Sequence, residues 1–238
     1  MLIEGAISVK SAILNGRRQI ECVYIDEAKH TKDFTYIYYR ATERDIKVEY
    51  VKREFIDELA NGKSHGGIIA KCSERTYQTI NDLAEDTIFV IDGIEDPFNL
   101  GYAMRSLKAF NYQSIVLPKR DYSNMEATIL KSSAGAFDGL DVVLAEDLAS
   151  DLKTLKEEYT IMALNRSDQA SDVFDTDYPK KRIIIIGGEK RGINKKVMEL
   201  VDQEIFFDYP SDFRNALNAT SALSMMIAVL EMRGRKCI

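Results

Sequence analysis

Polar residues follow an apolar run of the sequence in a pattern that predicts a ligand-binding loop. Four isoleucines, Ile183 to Ile186, lead directly into Gly187 and Gly188, which is typical of a buried strand that ends in a tight loop. Glu189 lies inside this loop, where a carboxylate repels phosphate and suits amines, hydroxyls or a cation. The loop therefore predicts a ligand other than a nucleotide phosphate, and an ordinary strand-to-helix turn is the open alternative.

Two further segments carry polar residues beside apolar helices. In DGIEDPFNLGYAMRSLKAF, Asn99 lies at the predicted start of a helix and Arg105 follows six residues later, among apolar residues. An arginine in such surroundings should find an anion as its partner, whereas Asn99 could simply cap the helix. In YPSDFRNALNATSA, Asn218 lies near the start of the last helix. The three segments together are the candidate site.

Strand and helix signals alternate from Thr87 to the end of the chain, which predicts an α/β domain with a mostly parallel sheet and helices on both faces. The residues before it predict a smaller α/β unit. The polar segment from Ser73 to Asp86 separates them, so we expect domains at residues 1–80 and 87–238. The last helix, about Ala216 to Arg233, is apolar on most sides. This pattern favours burial against an identical subunit, with a core helix of the monomer as the alternative.

Composition narrows the classes of function. The chain has 238 residues, 45% hydrophobic and 29% charged, with no apolar run long enough to span a membrane. Its first residues, MLIEGAISVK, do not have the pattern that predicts a signal peptide. Three scattered cysteines argue against a disulfide framework or a metal cluster and predict reduced thiols in a cytoplasmic protein. The two histidines give little support to a zinc site or a histidine triad. The net charge of −6 argues against nonspecific nucleic-acid binding but leaves room for local basic faces at Lys10, Arg17 and Arg18 or at Arg233, Arg235 and Lys236.

The order of three motifs resembles a known family. The patterns N-[LI]-G-x-x-x-R, G-x-E-x-x-G and L-N-[AV]-[ST] are similar to those of the SpoU/TrmH branch of the SPOUT RNA methyltransferases, over essentially the whole chain. The first part resembles the ribosomal-protein-like substrate-binding domain often found ahead of the catalytic domain. Its SHGGI segment, Ser64 to Ile68, is similar to the His-x-Gly stretch of that domain.

The resemblance implies a SPOUT-type knotted α/β fold, a homodimer that forms through the carboxyl-terminal helix, and no metal. It implies transfer of a methyl group from S-adenosylmethionine to a ribose 2′-hydroxyl of structured RNA. Carried over by position, the implied catalytic residues are Asn99, Arg105, Glu189 and Asn218. The implied cofactor-binding residues are Gly187, Gly188, Gly192, Phe207, Asp208 and Leu217, and the RNA-binding candidates are Lys10, Arg17, Arg18, His65 and Arg105.

The chain departs from the family pattern near the third motif. It has FDYP where the family usually has I-P-M, and ALNAT where the family usually has S-L-N-V-S. These changes affect backbone-binding positions more than the four polar residues, so an active enzyme remains the main interpretation. The alternatives are a catalytically inactive RNA-binding or ribosome-assembly factor, an unrelated α/β enzyme that acts on a small molecule, and tRNA as the substrate in place of the favoured ribosomal RNA.

Overall fold

The computed structural model describes residues 1–62, 64–188, 191–212 and 215–235, and its internal contacts divide the chain into two units. Unit 1 contains Met1–Thr76 and Asp121–Gly139, and unit 2 contains Tyr77–Arg120 and Leu140–Ile238. The predicted domains were consecutive, whereas unit 1 takes in a segment from the middle of the chain. Among the described residues, no helix combines the length and apolar character that a membrane span requires.

Unit 1 is built on a four-stranded sheet in the order β1-β4-β2-β3. Its elements are β1 (Leu2–Glu4), α1 (Ala6–Asn15), β2 (Ile20–Asp26), α2 (Lys32–Thr42), β3 (Lys47–Val51), α3 (Arg53–Leu59) and β4 (Ile68–Cys72). Helix α2, which the sequence analysis missed, is capped by Thr31, whose hydroxyl accepts the Phe34 N–H at 3.1 Å. Phe34, Ile37 and Ala41 share the buried face of α2, so this helix packs through a narrow apolar stripe.

Unit 2 is built on a seven-stranded sheet in the order β7-β6-β5-β10-β8-β11-β9, and all its neighbouring strands pair in parallel. The strands are β5 (Thr87–Asp92), β6 (Ser114–Pro118), β7 (Asp141–Ala145), β8 (Thr160–Leu164), β9 (Ser171–Asp172), β10 (Arg182–Gly187) and β11 (Gln203–Phe206). The helices of this unit are α4 (Pro97–Ala109), α6 (Leu148–Leu155), α7 (Lys195–Met198) and α8 (Ala219–Arg235). The predicted α/β class with a mostly parallel sheet is confirmed, and the knot stays a prediction.

The connection from β6 to β7 forms α5 (Glu126–Ser132) and a 3-10 turn (Ala136–Gly139), which pack in unit 1. Arg18 joins this segment to the first residues of the chain: its Nη1 lies 2.6 Å from Glu126 Oε2 and its Nε 2.9 Å from Asp138 Oδ2. The Arg18 side chain has no exposed surface. The prediction that Arg18 binds RNA is therefore corrected, because a fully enclosed guanidinium paired with two carboxylates serves the packing of unit 1.

Candidate functional site

Glycines bring the ends of two neighbouring strands into contact in unit 2. Gly93 follows β5 and Gly188 follows β10, and a Cβ added to Gly188 would lie 2.7 Å from the carbonyl carbon of Gly93. Gly188 and Gly192 also exchange backbone hydrogen bonds of 3.0 and 3.2 Å, which close the loop after β10. A further hydrogen bond ties the residues after this loop to the end of β5: the Asn194 N–H donates to Asp92 Oδ2 at 2.8 Å. This close backbone approach requires glycine and explains the Gly-Gly pair.

A cavity of about 350 Å³ opens beside this loop, at the carboxyl ends of β8, β10 and β11. Ligand sites of parallel α/β sheets lie at this edge, and the volume suits a small molecule. Its walls are mainly apolar or glycine: Leu164, Ile186, Gly187, Gly188, Gly192, Ile193, Phe206, Phe207, Ala216, Leu217, Ala219 and Ala222. Polar groups come from three further residues, Asn165, Arg166 and Tyr209.

The cavity contains most of the residues predicted to bind the cofactor. Its lining includes Gly187, Gly188, Gly192, Phe207 and Leu217. Asp208 is exposed and is not part of the lining, so the structure does not bring it to the others. Glu189 lies outside the described residues.

Sequence reasoning missed the polar part of this wall. Asn165 and Arg166 directly follow β8, which pairs with β10. Because the carboxyl ends of neighbouring parallel strands meet at one edge of a sheet, their position after a predicted strand could have identified them as site residues. The Arg166 guanidinium lies 5.4 Å from the ring centre of Tyr209 and 6.0 Å from that of Phe206. Within the described residues it forms no ion pair. The two rings thus hold a positive charge at the cavity without neutralising it.

Asn99 does not cap α4, contrary to the simple structural alternative. The cap is Asp96, whose carboxylate accepts the Asn99 N–H at 2.9 Å. Asn99 is half-buried, and its side-chain amide has no partner among the described residues, which leaves it available for a ligand. Arg105, two turns along α4, is exposed and likewise has no hydrogen bond or ion pair with any residue in the described ranges. The described residues therefore do not provide the anion that was expected to pair with Arg105.

Asn218, by contrast, has a structural role. Its Oδ1 accepts the backbone N–H groups of Thr220 at 3.0 Å and Ser221 at 3.3 Å, which caps α8. The Thr220 hydroxyl donates to the backbone oxygen of Asn99 at 3.1 Å. The ALNAT segment thus fixes the start of α8 against the start of α4, and its Ala216 and Leu217 line the cavity. The cavity wall and the segment with Asn99 and Arg105 are joined through this hydroxyl.

The RNA-binding candidates of unit 1 differ in their surroundings. Lys10 is exposed, with Nζ 4.7 Å from the ring centre of Tyr36, and Arg17 is half-buried. His65 is only 1% exposed, and its Nε2 lies 2.9 Å from Asp57 Oδ1 while its Nδ1 accepts the Gly67 N–H at 3.3 Å. Both nitrogens of His65 are engaged inside the unit, so we assign it to the structure of its loop and not to RNA contact.

Comparisons with known proteins agree on one family. A model of the SpoU rRNA Methylase family matches residues 86–228, and a model of the RNA 2′-O ribose methyltransferase substrate binding domain matches residues 2–78. A Staphylococcus haemolyticus protein, whose name places it among TrmH family tRNA/rRNA methyltransferases, is 29% identical over 95% of this chain and 93% of its own.

Solved structures share the fold. The SpoU methyltransferase AviRb of Streptomyces viridochromogenes, in complex with AdoMet, superposes with a TM-score of 0.79 at 17% identity, covering 98% of this chain and 91% of that one. An RNA 2′-O ribose methyltransferase superposes with a TM-score of 0.76 at 19% identity, covering 98% and 88%.

Proposed function

This chain belongs to the SpoU family of RNA methyltransferases, and from this premise we propose that it methylates a ribose 2′-hydroxyl of structured ribosomal RNA. The family resemblance predicted from the sequence is confirmed, and S-adenosylmethionine is the methyl donor that the family uses. The choice of the ribose hydroxyl, and of ribosomal RNA over tRNA, belongs to the proposal. The ribose hydroxyl is supported by the matched substrate-binding model, and ribosomal RNA is supported by the description of the matched catalytic family.

The observation that carries the proposal is the glycine-floored cavity at the ends of β8, β10 and β11. Its apolar walls suit the adenine and methionine chain of S-adenosylmethionine, and the cofactor carries no phosphate that would require a phosphate loop. When bound, the cofactor supplies an electrophilic methyl group. The cationic Arg166 at the same wall matches the single carboxylate of the cofactor.

Arg105 and Asn99 are the proposed groups that act on the RNA. An arginine is a poor base, because its pKa exceeds about 12, so we infer that Arg105 binds the phosphate next to the target ribose and polarises the hydroxyl. The phosphate or solvent then takes the proton. The free amide of Asn99 orients the ribose, and holding the two reactants in line provides a large part of the rate.

An inactive RNA-binding factor is the second candidate function. The departures FDYP and ALNAT motivated it, but Phe207, Ala216 and Leu217 still line the cavity, and Asn218 with Thr220 still shapes the start of α8. The pocket would have no use in a pure binder. The active enzyme is therefore the better supported function.

The first experiment is calorimetric titration of the purified protein with S-adenosylmethionine, followed by transfer of labelled methyl groups to separate ribosomal RNA and tRNA fractions. We expect binding at micromolar strength and label in a nucleotide that resists alkaline cleavage. Arg105→Lys should bind the cofactor normally and lose most of its turnover, because a lysine cannot form the forked phosphate contact. Near-normal turnover in Arg105→Lys would contradict the assigned role, and label confined to tRNA would contradict the assigned substrate.

The proposal includes a cytoplasmic homodimer that forms through α8. Besides its buried residues, this helix has an exposed stripe of Ser221, Met225, Ala228 and Met232, which recur at helical spacing. On α4, Phe98 and Tyr102 are also about half exposed, at 53% and 48%. The exposed methionines of α8 and the exposed rings of α4 support an isologous contact between two copies.

A further inference from the structure

Four tyrosines of unit 1 lie on two neighbouring elements, outside the buried stripe of α2, and none of them lines the cavity. Tyr36, Tyr38 and Tyr39 lie on α2, and Tyr50 lies on β3; we call them the tyrosine face. Tyr36, Tyr39 and Tyr50 are 36%, 61% and 50% exposed, well above what side chains needed for a core would show. Because the buried stripe of α2 is Phe34, Ile37 and Ala41, the fold does not require these rings.

Three of the four rings, those of Tyr38, Tyr39 and Tyr50, lie close to one another. The centre of Tyr38 is 5.7 Å from that of Tyr39 and 6.0 Å from that of Tyr50. At the other flank, Lys10 Nζ lies 4.7 Å and the Arg40 guanidinium 5.1 Å from the centre of the Tyr36 ring. The result is a surface of aromatic faces bordered by cations.

The charge of this surface is opposite to that of the chain. On α1, α2, Glu43 and β3, the charged residues are the cations Lys10, Lys32, Arg40 and Lys47 and the acids Asp33, Glu43 and Glu49, a net charge of +1. The whole chain has a net charge of −6. Glu43 is paired with Arg40 at 2.7 Å and Glu49 with Lys47, so the remaining charges are those of Lys10, Lys32 and Asp33. Lys10, beside the Tyr36 ring, has no ion pair among the described residues and can bind an anion.

We propose that the tyrosine face is a stacking platform for unpaired bases of the RNA substrate. This inference rests on the proposed function and narrows its substrate to RNA that presents unpaired nucleotides to unit 1. Bases that are splayed from a loop stack on tyrosine rings, and flanking lysines bind their phosphates. Tyrosine and arginine also suit protein interfaces, but exposed lysines are depleted there, so Lys10 and Lys32 favour a phosphate-bearing partner.

The test measures binding of the full-length protein to two labelled probes in the absence of S-adenosylmethionine. One probe is a 12-nucleotide single-stranded oligoadenylate, and the other is a blunt RNA duplex of 12 base pairs. Tyr39→Ala and Tyr50→Ala should each weaken binding of the single strand roughly tenfold and leave duplex binding unchanged. Tyr39→Phe keeps the ring and should retain affinity within about twofold. Phe110→Ala, which removes a 47% exposed ring in unit 2, is the matched control.

Two results would overturn the inference. Equal losses for single strand and duplex would show a surface without preference for unpaired bases, and unchanged affinities in both alanine variants would show that the tyrosines do not stack on RNA bases. Circular dichroism of each variant checks the fold. The binding assay contains no methyl donor, so its result does not depend on whether the protein transfers methyl groups. Loss of the proposed methyl transfer would leave the stacking result valid, and normal methyl transfer would not support stacking if binding were unchanged.

Discussion

At the scale of single residues, the close contact between Gly93 and Gly188 fixes the loop that lines one side of the cavity. A methyl group on Gly188 would meet the backbone of Gly93, which cannot move aside as a flexible side chain could. Gly188→Ala must therefore displace one of the two loops. We expect calorimetry to show at least a tenfold loss of S-adenosylmethionine affinity, which corresponds to about 1.4 kcal/mol.

A second glycine provides the control for this substitution. Gly234 lies in α8, where an added Cβ would meet nothing within 4 Å. Gly234→Ala should bind the cofactor like the wild type and gain roughly 0.5–1 kcal/mol in stability, because alanine loses less backbone entropy in a helix. Equal cofactor affinities in Gly188→Ala and Gly234→Ala would show that the loop contact does not shape the site.

Arg166 gives a prediction about which part of the cofactor it touches. If its guanidinium binds the carboxylate, Arg166→Ala should weaken S-adenosylmethionine about tenfold or more, as expected for a charge-assisted hydrogen bond. The affinity for 5′-methylthioadenosine, which lacks the carboxylate, should stay the same. Calorimetry with both ligands separates a lost charge contact from a damaged cavity, since damage would weaken both.

At the scale of elements, polar bonds join α8 to α4 and to the residues that directly follow α4. Thr220 donates to Asn99 at the start of α8, Ser106 and Ser224 share a hydrogen bond of 3.0 Å, and the Tyr112 hydroxyl donates to Glu231 Oε1 at 3.1 Å. Burial, reinforced by the Glu231 carboxylate, raises the pKa of Tyr112 to about 12. The protonated phenol is thus part of the packing of α8 against the residues that follow α4.

This raised pKa makes the contribution of Tyr112 depend on pH in a defined direction. The stabilisation is complete below pH 10, the ordinary tyrosine pKa, and is lost as the pH rises towards 12, because the unfolded chain ionises first. Urea unfolding of the wild type and Tyr112→Phe should differ by about 1–2 kcal/mol at pH 8, and the difference should shrink between pH 10 and 12. A difference that stays constant over this range would contradict the predicted contact.

Elements with strong local patterns were predictable from the sequence. The run Ile183 to Ile186 with Gly187 and Gly188 signalled β10 and its loop, and the cavity lies there. Helix α2 was not predicted because its tyrosines obscure the helical spacing of its apolar residues. Tyr38 and Tyr39 resemble core residues in the sequence, but they lie outside the buried stripe of this helix, which has three residues. Only the packing of unit 1 distinguishes the two roles.

Contacts between distant segments were not predictable. Arg18 looked like part of an exposed basic cluster, yet its partners Glu126 and Asp138 lie 108 and 120 residues further along the chain. Nothing local in the sequence marks such a pairing. The same holds for Arg166, whose position at the cavity depends on the order of strands in the sheet and on the rings of Phe206 and Tyr209.

At the scale of the whole molecule, the proposed dimer requires an exposed apolar surface that a second copy can cover. Met225 and Met232 are 41% and 56% exposed on the outer stripe of α8, whereas the neighbouring Met226 and Ile227 are buried in unit 2. A charge introduced on the stripe would be desolvated by a partner copy but would face water in a monomer.

Met225→Glu should therefore convert a dimer to a monomer at micromolar protein concentration, with little change in the circular dichroism of the chain. Light scattering after gel filtration measures the mass directly. Thr154→Glu, on the exposed side of α6, adds the same charge away from the stripe and should leave the dimer intact. A wild-type protein that is monomeric under these conditions, or a Met225→Glu variant that remains dimeric, would show that the exposed methionines of α8 do not form the subunit contact.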